Sequence, residues 1–346
     1  MSKFVVGLPS GLRRKDGSPA FTGYDISALA REGQVEFVYF DSKPELGPDD
    51  LAGLDGAVLL GERIAARSFP NSDRLTVFAR MGVGFDTLDL DACTQRDVVI
   101  ATTPDAVRRP IAVAVLTLLL ALSTRMMQKD RITRQGPDGW RQRIDLHGTG
   151  LVGRTLGIVG IGNIGAEVVR MVQPLEMRVI AHDPYVAAEQ AAALGVELVP
   201  LDRLFAEADV VSVNCPLNEE TRHLVNARTL GLMKPTAYLI NTSRGGTLDQ
   251  KALYEALTEG RIAGAALDVM EPEPTLASEP LNRLDNVILT PHALGWTDQT
   301  WATMAVANMA AFRAVMAGRA PESTVNKDVL ERPSFQAKLA RLAAAG

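Results

Sequence analysis

Three residues in the second half of the chain combine types that could move a proton on an anionic substrate: Arg244, Glu273 and His292. The planar guanidinium of Arg244 matches a carboxylate with two parallel donors. His292 titrates near neutrality and can serve as acid or base. Glu273, in contact with that imidazole, would fix its tautomer and favour the protonated ring. Each follows a short apolar run. Arg244 comes after Ile240-Asn241-Thr242-Ser243, Glu273 lies in Asp268-Val269-Met270-Glu271-Pro272-Glu273-Pro274, and His292 follows Leu289-Thr290-Pro291. Open α/β sheets build ligand sites at such strand ends. Taken singly, each also has a plain reading: a solvated arginine, an exposed glutamate in a proline-rich loop, a histidine in a capped turn.

A second pattern supplies what such chemistry would need. Leu156-Gly157-Ile158-Val159-Gly160-Ile161-Gly162-Asn163-Ile164-Gly165 reads as a strand running through G-x-G-x-x-G into a helix. Gly160 permits the tight turn, Gly162 lets the backbone approach a pyrophosphate, and Gly165 lets the helix pack on the strand. The diphosphate would sit at the helix N-terminus, where free N–H groups favour anions. Asp183 follows Gly165 by 18 positions, after the apolar run Arg178–Ala181. An acid there accepts from adenosine ribose hydroxyls and repels a 2′-phosphate, so NAD is expected over NADP. His182 beside it reads as a packing residue.

These segments need a frame. Apolar runs at Phe4–Leu8, Phe37–Phe40, Ala57–Leu60, Val77–Ala79 and Val98–Ala101 alternate with helical spacing, as in Ile26–Arg31 and Leu88–Gln95. The alternation restarts after residue 150 with Thr155–Val159, Arg178–Ala181, Val210–Val213, Ala237–Ile240, Ala263–Leu267 and Val287–Leu289. That pattern predicts two α/β domains with parallel sheets. Between the sets, a helix is expected to start near Pro110, because an interior proline removes a hydrogen bond. Gly136-Pro137-Asp138-Gly139 reads as a breaker. A second long helix is expected from Thr297 to about Ala317, then a proline-punctuated tail ending in an Ala/Leu-rich helix.

The 346 residues fit about two domains. With 36 basic and 41 acidic residues the net charge is −5, which gives no nucleic-acid footprint. Cys93 and Cys215 are too few for a disulfide scaffold, and no spacing suggests a metal. The N-terminus lacks a signal-peptide pattern. The longest apolar run, Ile111 to Leu122, is too short to span a bilayer and suits a buried helix. A cytoplasmic protein with no membrane or nucleic-acid partner is expected.

The motifs together resemble the D-isomer-specific 2-hydroxyacid dehydrogenase family. They are Gly160–Gly165 with Asp183, Val213-Asn214-Cys215-Pro216-Leu217, Asn241-Thr242-Ser243-Arg244-Gly245-Gly246, Gly264–Val269 with Glu273, and Thr290-Pro291-His292. Arg80-Met81-Gly82-Val83-Gly84-Phe85-Asp86 is similar to the family's glycine-rich substrate loop. The likeness covers roughly residues 50–300. It implies two Rossmann-like domains with the active-site cleft between them, the nucleotide domain (105–295) inserted into a discontinuous substrate domain (1–104 plus 296–346). It implies Arg244, Glu273 and His292 as the catalytic residues, with His292 the proton donor or acceptor. NAD contacts would come from Gly160, Gly162, Asn163, Ile164 and Gly165, and from Asp183. Cys215 and Pro216 would add backbone contacts, joined by Thr221, Thr242, Asp268 and His292. The amides of Val83 and Gly84, with Arg244, would receive the carboxylate of a small 2-hydroxy or 2-oxo acid. A homodimer through the nucleotide domain is implied as well.

Glu273 also narrows the class, since formate dehydrogenases of the family place glutamine there. Two departures stand out. Ala112-Val113 replaces the usual Ala-Glu, which reads as a packing change. Trp296 follows Gly295 where the family shows small residues, and it either lines the substrate pocket or is a core or dimer contact. Arg108-Arg109 reads as a solvated charge pair, the alternative being contact with a second anionic group of the substrate or with the cofactor phosphates. The alternatives to a dehydrogenase are an NAD-sensing oligomeric interaction protein of the same fold and a phosphite-type oxidiser.

Overall fold

The computed structural model describes residues 3–345. The chain forms two compact units: residues 1–107 with 296–346, and residues 108–295.

In the first unit five strands form one parallel sheet: β1 (Phe4–Pro9), β2 (Val35–Phe40), β3 (Gly56–Leu59), β4 (Val77–Arg80) and β5 (Val99–Ala101). Their order is β2-β1-β3-β4-β5, the flavodoxin-like arrangement. β3 is buried at every position, as expected of a parallel strand covered on both faces. A core of Phe40, Leu51, Leu59, Phe78, Cys93 and Ile100 packs on one face. Asp89 starts the Leu90–Gln95 helix by accepting from the Ala92 N–H at 2.9 Å. Thr297 does the same for Asp298–Met316, accepting from Thr300 at 3.1 Å.

The C-terminal segment is tied to β5 by a buried amide. Asn326 accepts from the Ile100 N–H at 2.9 Å and donates to the Val98 carbonyl at 2.9 Å. Beyond it, the Pro333–Ala345 helix buries Lys338, whose ammonium donates to the carbonyls of Leu75 (2.6 Å) and Asp97 (3.0 Å).

In the second unit seven strands form another parallel sheet: β6 (Thr155–Val159), β7 (Arg178–His182), β8 (Glu197–Leu198), β9 (Val210–Val213), β10 (Tyr238–Asn241), β11 (Gly264–Leu267) and β12 (Val287–Leu289). The order β12-β11-β10-β9-β6-β7-β8 places β6 between β9 and β7, at the point where the winding reverses. That is the doubly wound dinucleotide-binding topology. Successive residues face opposite sides, so Leu239 and Leu267 enter one core while Ile240 and Ala266 enter the other. The two-residue β8 carries too little apolar pattern to be read from sequence.

Two local expectations are corrected. The helix starts at Pro104, not near Pro110, and runs to Ser123 with Pro110 inside it. Pro104 occupies the first position, where no N–H is needed. Pro110 forfeits one bond to the Ala106 carbonyl, roughly 3 kcal/mol. Burial of Val115, Leu118, Leu119 and Leu122 on the same helix offsets that at about 1.5–3 kcal/mol each. This helix has the length and composition to span a bilayer, but 56% of its most apolar window is buried in the fold. The second correction concerns Gly136–Gly139. Gly136, at φ +69°, ends the preceding turn, and Pro137 opens a new helix, Pro137–Gln142.

Lys338 yields a pH prediction. Burial, the largest influence, pulls its ammonium down from 10.5 to about 8, against the opposing charges of Asp97 and Asp73. The unfolded chain therefore binds the extra proton more tightly. The stability contributed by this group is full above about 10.5 and is lost as pH falls through about 8. Chemical denaturation should show the difference between wild type and Lys338→Met shifting in favour of wild type from pH 8 to 10. A constant difference would contradict this account.

Candidate active site

The second unit gathers its chemical residues at the carboxyl ends of its strands. Asp268, directly after β11, is 2% exposed. Its Oδ1 accepts from the Thr290 hydroxyl at 2.6 Å, the Ala293 N–H at 3.2 Å and the Leu294 N–H at 3.3 Å. Its backbone carbonyl accepts from the His292 N–H at 2.7 Å. A buried carboxylate needs such donors, and here they all come from the turn that carries His292. That turn holds His292 at φ +54°, a left-handed conformation uncommon for a non-glycine residue. The imidazole Nδ1 lies 2.9 Å from Glu273 Oε2. Glu273 Oε1 accepts from the Met270 N–H at 3.2 Å.

Burial pushes the Glu273 carboxyl up. The hydrogen bond and charge of His292, the Met270 N–H and the charge of Arg244 outweigh it and leave the group below the ordinary carboxylate value. Arg244 sits on the turn after β10, whose backbone is fixed by Asn241 Nδ2 and Thr247 Oγ1 donating to the Arg244 carbonyl at 3.0 and 2.7 Å. The guanidinium donates to the Ser243 carbonyl at 2.7 Å. A Cβ on Gly245 would lie 2.2 Å from the Met270 carbonyl carbon. This glycine lets the Arg244 turn lie directly against the segment leading to Glu273. The unit thus brings Arg244, Glu273 and His292 together from three separate strand ends.

The glycines of the phosphate loop divide their tasks physically. Gly160 has φ +88°. A Cβ on Gly165 would lie 2.2 Å from the Gly160 carbonyl oxygen, so only glycine lets the Asn163–Val172 helix sit there. A Cβ on Gly162 would meet nothing within 4 Å. Nothing among the described residues requires glycine at 162, and the space beside it is open. The N–H groups of Asn163 and Ile164 head that helix, where they have no intrahelical acceptor. Asp183, after β7, accepts from the Ile161 N–H at 3.0 Å and from the Tyr185 N–H at 2.9 Å. Two further polar atoms fit a dinucleotide. Thr242 Oγ1 and Asn214 Oδ1, just past β10 and β9, are buried with no partner among the described residues. Asn214 lies in the motif before Cys215-Pro216 and was not singled out by sequence.

Other expected residues fall as follows. Thr221 braces the loop after β9, donating to the Pro216 carbonyl at 2.6 Å. Burial pushes the Cys215 thiol up to about 11, so it is no nucleophile. His182 Nδ1 lies 3.1 Å from the Val199 carbonyl, a packing contact. In the first unit, the substrate-like loop is braced by Thr103, whose hydroxyl accepts from the Gly82 N–H at 2.8 Å. The N–H groups of Val83 and Gly84 donate to no acceptor among the described residues. Trp296 is half-exposed and meets Phe21 and Trp301 edge-on at 5.4 and 5.1 Å.

Two readings change. Arg108 and Arg109 are exposed as expected, but they are also paired with a carboxylate. Arg109 lies 2.5 Å from Glu167 Oε1, with Arg170 at 3.1 Å and Arg108 at 3.9 Å from Oε2. Glu167 is largely buried, and a carboxylate leaving water recruits cations. Val113 is 44% exposed and does not fill the core.

The glycine geometry separates folding from binding. Gly162→Ala should melt within about 2 °C of wild type, having no clash to relieve, yet lose at least about tenfold in nicotinamide cofactor affinity. Gly165→Ala should lower Tm by several degrees, because backbone must move. Thermal melts with cofactor titrations check both. Equal melting losses would remove the division of roles.

Residues 116–293 match the family model described as D-isomer specific 2-hydroxyacid dehydrogenase, NAD binding domain. The chain is 41% identical over 285 residues to a glyoxylate reductase of Korarchaeum cryptofilum, covering 80% of this chain and 85% of that one. It is 35% identical over 303 residues to a D-3-phosphoglycerate dehydrogenase of Methanocaldococcus jannaschii, covering 87% of this chain and 57% of that one. The holo form of D-mandelate dehydrogenase from Rhodotorula graminis superposes with a TM-score of 0.80 at 27% identity, covering 94% and 98% of the two chains. With a nicotinamide-binding topology, open phosphate loop and family match in agreement, the chain belongs to the D-isomer specific 2-hydroxyacid dehydrogenase family.

Proposed function

We propose that this chain interconverts a small D-2-hydroxy acid and its 2-oxo acid with NAD(H), using His292 as the proton donor and acceptor. The 2.9 Å contact between His292 Nδ1 and Glu273 carries the reading. Glu273 engages Nδ1, leaving Nε2 as the ring nitrogen that meets the substrate oxygen. A bound nicotinamide supplies or accepts the hydride at the substrate carbon. In reduction, protonated His292 gives its Nε2 proton to the carbonyl oxygen as that oxygen becomes a hydroxyl. In oxidation, neutral His292 takes the proton back. Glu273, ionised at neutral pH, balances the imidazolium. Arg244 forks to the substrate carboxylate and polarises the carbonyl. The Val83 and Gly84 N–H groups of the first unit are proposed as donors to a carboxylate.

Asp183 supports NAD over NADP, because a carboxylate at that position opposes a 2′-phosphate. The cofactor contacts assigned to Asp268, Thr242, Cys215, Pro216 and Thr221 belong to the same proposal. The archaeal relatives, glyoxylate reductases, point to glyoxylate as the first substrate to try. Trp296, held by its two aromatic neighbours, is assigned to the pocket wall. A homodimer through the nucleotide-binding unit is also proposed. Trp140 and Ile144, 62% and 66% exposed, offer apolar surface for it.

His292→Ala should cut NADH-dependent reduction of glyoxylate at least about a thousandfold while NADH affinity changes less than about threefold. Across 2-oxo acids of graded size, Trp296→Ala should extend activity to larger members. Normal turnover in the histidine variant would sink the assignment, and an unaltered spectrum would remove Trp296 from the pocket. Sedimentation should give twice the chain mass, and Trp140→Glu with Ile144→Glu should halve it. A wild-type monomer would remove the dimer.

A further inference from the structure

The loops on either side of the phosphate-binding strand are joined by one side-chain bond. β6 lies between β7 and β9. The loop after β7 carries Asp183 and Tyr185, and the loop after β9 carries Glu220. The phenol of Tyr185 donates to Glu220 Oε2, and the Tyr185 N–H donates to Asp183 Oδ1 at 2.9 Å. Both ends of this link are anchored. Asp183 is bound to the Ile161 N–H of the phosphate loop at 3.0 Å. The Glu220 loop is closed by Thr221 donating to Pro216 and accepting from the Asn218 N–H at 2.9 Å. Tyr185 is 77% exposed, so burial of an apolar ring does not explain where it points. The hydrogen bond to Glu220 and its charge, with burial and the Asp183 charge behind them, raise its phenol above the ordinary value.

We propose that Glu220, held by Tyr185, is a second acidic determinant at the adenosine end of the cofactor site and acts with Asp183 to reject a 2′-phosphate. This rests on the NAD reading above. Asp183 spends one lone pair of each oxygen on backbone N–H groups, which holds it in place to meet the ribose. Glu220 brings another negative charge to the same crevice from the opposite loop. A phosphate monoester there would face two carboxylates and no cation supplied by this link. Tyr185 is the positioning residue: its phenol fixes Glu220 without contributing charge.

The test is binding of NADH and NADPH by nucleotide fluorescence, with no substrate present, alongside kcat/KM for each cofactor. Glu220→Gln keeps an acceptor for Tyr185 and removes the charge. It should tighten NADPH binding about three- to tenfold, the range expected for an exposed charge acting on a dianion. Tyr185→Phe, which releases Glu220, should give a smaller gain. The double variant should match Glu220→Gln, because the tyrosine acts only through the glutamate. A gain in NADPH binding cannot come from misfolding. If wild type prefers NADH and neither variant tightens NADPH binding, the proposal is overturned while the NAD reading stands. If wild type prefers NADPH, the NAD reading fails and takes this one with it.

Discussion

A buried carboxylate sets the geometry at the carboxyl ends of the strands in the second unit. Asp268 sits at the end of β11, removed from water, and a lone carboxylate there would be strongly unfavourable. Its donors are the Thr290 hydroxyl and the N–H groups of Ala293 and Leu294. Those bonds exist only when the turn has one conformation. That conformation places His292 in the left-handed region and its ring against Glu273. The His292–Glu273 pair is therefore positioned by a third residue, Asp268.

The same logic recurs at the other edge of the site. Glycines at 165 and 245 act by absence, each letting one backbone lie against another where a methyl group would collide. Gly162 is different, since nothing among the described residues lies within 4 Å of a Cβ there. The sheet order then decides where these features meet. With β6 between β7 and β9, the phosphate loop opens at the reversal of winding, and Asp183 and Asn214 flank it from the neighbouring strands.

Charge is organised locally in a chain whose net balance is mildly acidic. Glu167, on the phosphate-binding helix, draws in Arg109, Arg170 and Arg108. This ties the long helix containing Pro110 to the Asn163–Val172 helix, and the tie joins apolar burial in holding the proline-bearing helix together. Net charge gave no hint of this arrangement.

The strands were legible because parallel strands buried on both faces are nearly continuous apolar runs. Thr155–Val159 and Val210–Val213, buried throughout, have the boundaries the pattern predicts, as does the part-buried edge strand Val287–Leu289. The glycine-rich loop was legible because its glycines have a fixed spacing; Arg244, Glu273 and His292 were only weakly marked by following such runs, and the family resemblance singled them out. Helix ends were harder. The rule against interior proline is a local cost, and the burial that overrode it at Pro110 is a tertiary gain. Arg108 and Arg109 read as solvated because their partner Glu167 is 58 positions from Arg109. Sequence by itself determined which residues could hold a dinucleotide and move a proton, since that depends on side-chain chemistry and local spacing. Only the tertiary structure decided which of them share a hydrogen bond. That requires segments distant in the chain to be packed to within about 3 Å, a precision that close packing supplies and local pattern does not.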